Sequence, residues 1–191
     1  MSSTTNVNER LAALTAAGTS PWLDQMRRTL ATSGELQRMV VEDSLRGLTS
    51  NPSIFEKAIL GSDDYDEQLA ELARSGLTAM QVYEHLVIDD LKLACDVLRP
   101  VWEEADHADG FCSLEVAPSL AHDTEQTMDQ ARSLWERVGR PNLMIKIPGT
   151  DEGAPAIEEM IYEGRNINVT LLFSVDAYEK IAEAYIRGLE R

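Results

Sequence analysis

Positive charge is scarce in this sequence, and its scarcity argues against one class of function. The 191 residues include 17 lysines and arginines against 33 aspartates and glutamates, which gives a formal net charge of −16. Proteins that bind nucleic acids present a basic surface to the phosphate backbone. We therefore expect no nucleic-acid partner. An anionic substrate would have to be held by a few local cations, helix N-termini or backbone N–H groups.

Cysteines, clustered histidines and long apolar runs are also lacking. Cys95 and Cys112 do not have the spacing of a disulfide framework, and His85, His107 and His122 do not have the spacing of metal ligands. No glycine-rich nucleotide-binding motif occurs. The chain has no apolar run of about 18 residues and a polar N-terminus, so we expect a cytoplasmic protein that does not associate with membranes.

Strand and helix patterns alternate with short connections in the second half of the chain. Such alternation is typical of βα units with a parallel sheet, which places the chain in the α/β class. Gly47 is expected to end a helix before the second strand, and residues 54–104 form a large helical insertion after it. The strand pattern alone does not choose between a barrel and a doubly wound sheet. Five strands are predicted, at 21–23, near 48, at 111–117, 142–148 and 167–173.

One of only four lysines, Lys146, lies inside the apolar strand 143–148. Because side chains alternate along a strand, the Lys146 ammonium enters one face of the sheet. Desolvation there favours the neutral amine, which is the form that attacks a carbonyl to give a Schiff base. The alternative is a lysine on an edge strand that extends to water, and the physics of the sequence favours neither.

Further polar residues lie at or just after the ends of the other predicted strands, namely Asp24, Asn51, Glu115, Asn168 and Thr170. Barrel enzymes place their active sites at the C-terminal ends of the strands. Together with the lysine, two carboxylates and three hydrogen-bonding side chains would form a site for carbonyl chemistry.

Each of these residues also has a structural alternative. Asp24 could cap the helix that follows it, and Asn51 could be a turn residue before a proline. Asn168 and Thr170 could satisfy backbone groups. Glu115 is harder to explain structurally, because buried carboxylates are rare unless they are paired or functional.

Taken in chain order, five segments resemble the signature segments of the transaldolase family: 22–24, 48–53, 115–116, 144–150 and 168–174. The resemblance covers nearly the whole chain, and the helical insertion is similar to that of the larger bacterial transaldolases. It implies a (β/α)8 barrel of the class I aldolase type, here a partial barrel with about five parallel strands and the insertion between strands 2 and 3. The family binds the substrate phosphate on its sixth strand and beyond. We therefore expect residues 1–191 to be the N-terminal part of a single barrel domain.

The resemblance also implies a reaction. It is the transfer of a dihydroxyacetone unit from sedoheptulose 7-phosphate or fructose 6-phosphate to an aldose phosphate, through a Schiff base on Lys146, in the non-oxidative pentose phosphate pathway. Neither a metal nor an organic cofactor is implied. The alternatives are an inactive fragment of such an enzyme and a Schiff-base aldolase that releases the three-carbon unit. The sequence gives no oligomeric state.

The family's remaining roles carry over residue by residue. The resemblance makes Asp24 the general acid/base of carbon–carbon cleavage. It makes Glu115, with Thr170, the proton shuttle while the imine forms. Asn51 and Asn168 would hold the hydroxyls of the dihydroxyacetone unit. We expect all of these side chains to converge with Lys146 at the C-terminal ends of the strands.

Overall fold

The computed structural model describes residues 7–191, which contain five strands and nine α-helices. The strands are β1 (Trp22–Asp24), β2 (Gly47–Thr49), β3 (Phe111–Glu115), β4 (Leu143–Pro148) and β5 (Ile167–Thr170). The helices are α1 (Glu9–Ala16), α2 (Arg28–Thr32), α3 (Glu35–Glu42), α4 (Pro52–Leu60), α5 (Asp66–Leu72), α6 (Ala79–Glu104), α7 (Thr124–Val138), α8 (Gly153–Tyr162) and α9 (Val175–Glu190). A 3-10 turn, Pro118–Leu120, lies between β3 and α7.

The strands follow one another in the sheet in chain order, β1-β2-β3-β4-β5. β1 pairs with β2 in parallel, and β4 pairs with β5 in parallel. A doubly wound sheet reverses its strand order at a switch point, whereas each strand of a β/α barrel pairs with the next one. The sequential order therefore confirms the predicted α/β barrel type, and α4 to α6 confirm the helical insertion between strands 2 and 3.

The described chain divides inside β3 into two compact units, the first ending at Cys112 and the second beginning at Ser113. In the first unit, β1 and β2 pair with Leu23 beside Leu48. Helices α2 and α3 pack against α6, and their leucines Leu30 and Leu36 are at most 1% exposed. This apolar contact ties the long helix of the insertion to the segment between β1 and β2.

A buried ionic cluster in the first unit joins α2 to the insertion. Asp90 of α6 is fully buried and accepts hydrogen bonds from Arg28 Nε and the Tyr65 hydroxyl, each at 2.8 Å. Burial is the main cause that raises the pKa of Asp90 and the pKa of Tyr65. A carboxylate removed from water needs such partners, so the cluster fixes α2 and α6 against each other.

The second unit places a short sheet against helices α7 to α9. β4 and β5 pair with Ile145 beside Ile167, and Ile145 and Ile147 are fully buried. Helix α8 packs against α9, where a Cβ at Gly188 would come within 2.6 Å of the Glu158 carbonyl oxygen. The two helices approach so closely that this position of α9 is restricted to glycine.

Two helices of the second unit begin at a capping side chain. The Asp123 side chain accepts a hydrogen bond from the Gln126 N–H at 3.0 Å and caps α7. The Ser174 side chain accepts one from the Ala177 N–H at 3.1 Å and caps α9. Both boundaries are set by local capping chemistry.

The expected role of Gly47 as a helix stop is wrong. Helix α3 ends at Glu42, and Gly47 is the first residue of β2. Gly47 pairs in register with Trp22, and a Cβ at Gly47 would collide with the Trp22 indole ring. The glycine is therefore required by the close approach of a side chain from β1 and not by the end of a helix.

The predicted fifth strand is also too long at its C-terminal end. β5 ends at Thr170, because Leu171 has a left-handed backbone with a φ of +60°. The run 171–173 has the apolar pattern of a buried strand, yet Leu171 is 56% exposed and Phe173 is 89% exposed.

The ion pairs of Glu163 should contribute pH-dependent stability to the second unit. Its carboxylate lies 2.6 Å from Arg132 Nη2 and 3.0 Å from Arg165 Nε, and its side chain is 21% exposed. The hydrogen bond from Arg132, supported by Arg165, lowers the pKa of Glu163. The stabilisation is therefore present above the pKa of the unfolded chain and is lost as the pH falls through the lower folded value.

We expect Glu163→Gln to lower the free energy of unfolding at pH 7 by about 1 kcal/mol, and to flatten the loss of stability on acidification. Denaturant unfolding between pH 7 and pH 3 measures both effects. Glu179→Gln is the control, since Glu179 is exposed and has no ion pair among residues 7–191. An acid transition as steep in Glu163→Gln as in the unaltered chain would contradict the assignment.

Candidate active site

Three of the predicted site residues lie side by side on adjacent strands of the second unit. Asn168 of β5 is the register partner of Lys146 in β4. On the other side of β4, the Val116 N–H donates to the Lys146 carbonyl oxygen at 3.1 Å, which sets Glu115 beside Lys146. Neighbours in a parallel sheet point to the same face, so Glu115, Lys146 and Asn168 form one row.

Lys146 is the centre of this row. The residue is 9% exposed, and its Nζ lies 3.4 Å from Glu115 Oε2. Since β4 lies between β3 and β5, the alternative of a lysine on an edge strand is wrong. An amine beside a carboxylate in a sheltered position can exchange a proton with it, and a Schiff-base reaction requires such an exchange.

The side chains of Asn168 and Thr170 do not bond to backbone groups of the described chain, contrary to their structural alternative. Asn168 Nδ2 donates to the Ser113 hydroxyl at 3.0 Å. The Thr170 hydroxyl is buried and has no hydrogen-bond partner among residues 7–191. The backbone carbonyl oxygen of Thr170, by contrast, accepts a hydrogen bond from the Gly149 N–H at 2.7 Å. Both side chains are thus available for roles other than holding the fold.

Ser113 joins this site and was missed among the candidates from the sequence. It is fully buried in β3 and accepts the hydrogen bond from Asn168. The available signal was its position two residues before Glu115, which puts both side chains on the same face of the strand. The partner strand could not be read from that spacing.

The segment after β4 is tightly fixed. The Thr150 hydroxyl donates to the Ala121 carbonyl oxygen at 2.6 Å and accepts from the Gly153 N–H at 2.9 Å. A Cβ at Gly149 would come within 2.5 Å of the Leu172 side chain, so no larger residue fits there without a shift. These contacts limit the movement of the backbone that follows the Lys146 strand.

In the first unit, Asp24 is the last residue of β1 and is exposed. It pairs in register with Thr49 and makes no side-chain hydrogen bond or ion pair with residues 7–191. The N-cap of α2 is Arg27, so the alternative of Asp24 as a helix cap is wrong. The carboxylate at the end of β1 is available for chemistry.

Asn51 has a structural role, as a helix cap and not as the turn residue that its sequence context suggested. It follows β2 and is the N-cap of α4, with Oδ1 accepting from the Ile54 N–H at 3.0 Å. The amide nitrogen has no hydrogen-bond partner in the described chain. Capping therefore leaves the Asn51 NH2 group to donate elsewhere.

The three histidines lie at the surface, as expected. His122 is paired with Glu152 at 3.1 Å, and His107 stacks on Trp102 with ring centroids 3.7 Å apart.

Within residues 7–191, no three His, Cys, Asp or Glu side chains are grouped so as to hold a metal ion. None of the helices in that range is long and apolar enough to cross a membrane.

Comparison with known proteins agrees with the resemblance in the motifs. The model of the family Transaldolase/Fructose-6-phosphate aldolase matches residues 21–189. The protein "Transaldolase 2" of Nostoc punctiforme is 51% identical over 174 residues, which are 91% of this chain and 46% of the relative. The protein "Transaldolase" of Mycobacterium tuberculosis is 49% identical over 184 residues, 96% of this chain and 49% of the relative. The chain thus spans about half the length of the curated relatives that it matches.

Replacing Asn51 separates its capping role from any role of its amide. We expect Asn51→Ala to lower the free energy of unfolding by about 1 kcal/mol, because the first turn of α4 loses its acceptor. Asn51→Asp should preserve stability, since aspartate caps equally well. Denaturant unfolding of the two variants checks this. Equal stability of Asn51→Ala and the unaltered chain would show that the cap is not needed.

Proposed function

Because this chain belongs to the transaldolase/fructose-6-phosphate aldolase family, we propose that it is the N-terminal part of a transaldolase that forms a Schiff base on Lys146. The reaction transfers dihydroxyacetone from sedoheptulose 7-phosphate or fructose 6-phosphate to an aldose phosphate. It belongs to the non-oxidative pentose phosphate pathway and takes place in the cytoplasm. The names of the relatives support transfer to an acceptor over release of the three-carbon unit.

The observation that carries the proposal is the sheltered pair of Lys146 and Glu115, 3.4 Å apart. The Lys146 amine adds to the ketone carbon of the donor and gives a carbinolamine. Glu115 accepts a proton from the nitrogen and returns one to the hydroxyl that leaves as water, which produces the iminium. Thr170, whose hydroxyl is buried without a partner in the described chain, assists this proton transfer.

Asp24 acts after the covalent step. Its carboxylate removes the proton of the donor's C4 hydroxyl, the C3–C4 bond breaks, and the electron pair is taken up by the iminium to give an enamine. The enamine then attacks the aldehyde carbon of the acceptor, and Asp24 returns the proton. Asn51 and Asn168 hold the hydroxyls of the bound three-carbon unit during the exchange.

We further propose that the barrel is completed by sequence beyond the five strands described. In the second unit, α9 uses Ile181, Ala184 and Gly188 to contact α8. A neighbouring face of the helix is apolar and exposed, which soluble proteins seldom leave uncovered. The large apolar residues that are exposed on α9 and on the turn between β5 and α9 are Leu171, Phe173, Val175, Tyr178, Tyr185, Ile186 and Leu189, and we call them the α9 patch.

Coexpression with the C-terminal half of the Mycobacterium tuberculosis transaldolase tests the completion. We expect the two halves to form a soluble complex with transaldolase activity, while the 191-residue chain alone has little. Ile186→Glu should block the complex, because it places a charge in the covered α9 patch. Leu60→Glu is the control, since Leu60 is 79% exposed in the first unit. Association unaffected by Ile186→Glu would reject the α9 patch as the contact.

Trapping with borohydride tests the Schiff base. Reduction in the presence of fructose 6-phosphate should attach the sugar carbon chain to Lys146, as read by peptide mass spectrometry of the chain alone and of the complex. Lys146→Arg should abolish both trapping and turnover, because a guanidinium stays protonated and cannot act as the nucleophile. Asp24→Asn should still be trapped while turnover falls by about a hundredfold or more.

The outcomes separate the competing functions. Trapping on another lysine would reject Lys146 as the nucleophile. Loss of trapping in Asp24→Asn would show that the role proposed for Asp24 is wrong. Release of the three-carbon product at an undiminished rate without an acceptor would make the protein a Schiff-base aldolase. No adduct in folded samples of the chain and the complex would mean an inactive fragment.

A further inference from the structure

A hydrogen bond in the second unit crosses over the strand that carries Lys146. Ser113 lies on β3 and Asn168 on β5, and β4 lies between them. Strands two apart in a sheet are separated by about 9.6 Å, yet Asn168 Nδ2 and Ser113 Oγ are 3.0 Å apart. Both side chains must therefore lean towards each other over β4.

The position of this bridge along the strands is defined by the register. Asn168 is level with Lys146, and Ser113 lies two residues before Glu115, the neighbour of Lys146. The bridge thus passes on the N-terminal side of the Lys146 side chain, and Glu115 lies on the other side. In β/α barrels, alternate strands supply one layer of inward side chains, usually bulky aliphatic ones. Here β3 and β5 supply a polar pair beside the lysine.

The bridge also determines how the Asn168 carboxamide is used. One N–H of Nδ2 is donated to Ser113, and Oδ1 has no hydrogen-bond partner among the described residues. An amide whose nitrogen is anchored cannot rotate freely, so the direction of its oxygen is fixed and that oxygen can accept a hydrogen bond. Ser113 is fully buried, so bulk water cannot take its place as the acceptor of the Asn168 N–H.

We infer that Ser113 is a positioning residue, whose hydroxyl holds the Asn168 amide so that Oδ1 accepts a hydrogen bond from a substrate hydroxyl beside Lys146. This inference rests on the proposed function for the identity of the substrate. In this scheme Ser113 acts on the substrate through Asn168. It contributes by reducing the freedom that Asn168 would lose on binding.

Titration of trapping with fructose 6-phosphate measures the effect. We expect Ser113→Ala to raise the ketose concentration for half-maximal labelling of Lys146 by about three- to tenfold, with the plateau unchanged because Lys146 and Glu115 remain. Ser113→Cys should lie between, since a thiol of similar size is a weaker acceptor. Thr127→Val is the control for losing a buried hydroxyl. Thr127 of α7 is 2% exposed, and its hydroxyl donates to the Leu120 carbonyl oxygen at 2.9 Å.

A second readout does not depend on the reaction. In ¹⁵N-labelled protein, the Asn168 side-chain NH2 signals, assigned with Asn168→Asp, should show one proton protected from exchange, and this protection should disappear in Ser113→Ala. Unchanged protection, or unchanged half-maximal labelling in Ser113→Ala, overturns the inference alone. No labelling of the unaltered protein, alone or in the complex, overturns the proposed function and with it the role of Ser113 in binding.

Discussion

A cation inside a sheet needs an anion close by, and the second unit is arranged around that requirement. Moving an ammonium out of water costs several kcal/mol unless a partner offsets the loss. Lys146 is 9% exposed, and its partner Glu115 comes from the adjacent strand. The pair needs β3 beside β4 in a register that sets the two residues level, which the backbone bond from Val116 to Lys146 also imposes. The two groups that satisfy each other in the fold are also close enough to exchange a proton.

The two faces of β4 differ in what they carry: one is aliphatic and buried, and the other carries Lys146. Leu143, Ile145 and Ile147 are all fully buried, and they anchor the strand through apolar contacts on one face. The other face can then carry Lys146 while β4 keeps its position in the sheet. Period-two alternation makes this division possible, because one residue of slip would exchange the two faces. The buried aliphatic face thus helps to hold the register of a strand that also carries a lysine.

Sequence predicted what local chemistry decides and missed what distant residues decide. The starts of α7 and α9 follow from the caps Asp123 and Ser174, which act within three residues. Gly47 was assigned wrongly because its constraint is the indole ring of Trp22, which belongs to another strand. Ser113 was missed because its partner Asn168 lies 55 residues away. The row of Glu115, Lys146 and Asn168 was predictable from the resemblance, whereas the bond that holds Asn168 was not.

The two asparagines of the candidate site show what structure adds to residue type. In the first unit, the Asn51 side-chain oxygen accepts a hydrogen bond from the first turn of α4, and its NH2 group can still donate. In the second unit, Asn168 donates an N–H to Ser113, and its side-chain oxygen can still accept a hydrogen bond. The local environments therefore engage the oxygen of one asparagine and the nitrogen of the other. From the sequence both were simply amides, and the difference arises from a helix start in one unit and a side chain bridging two strands in the other.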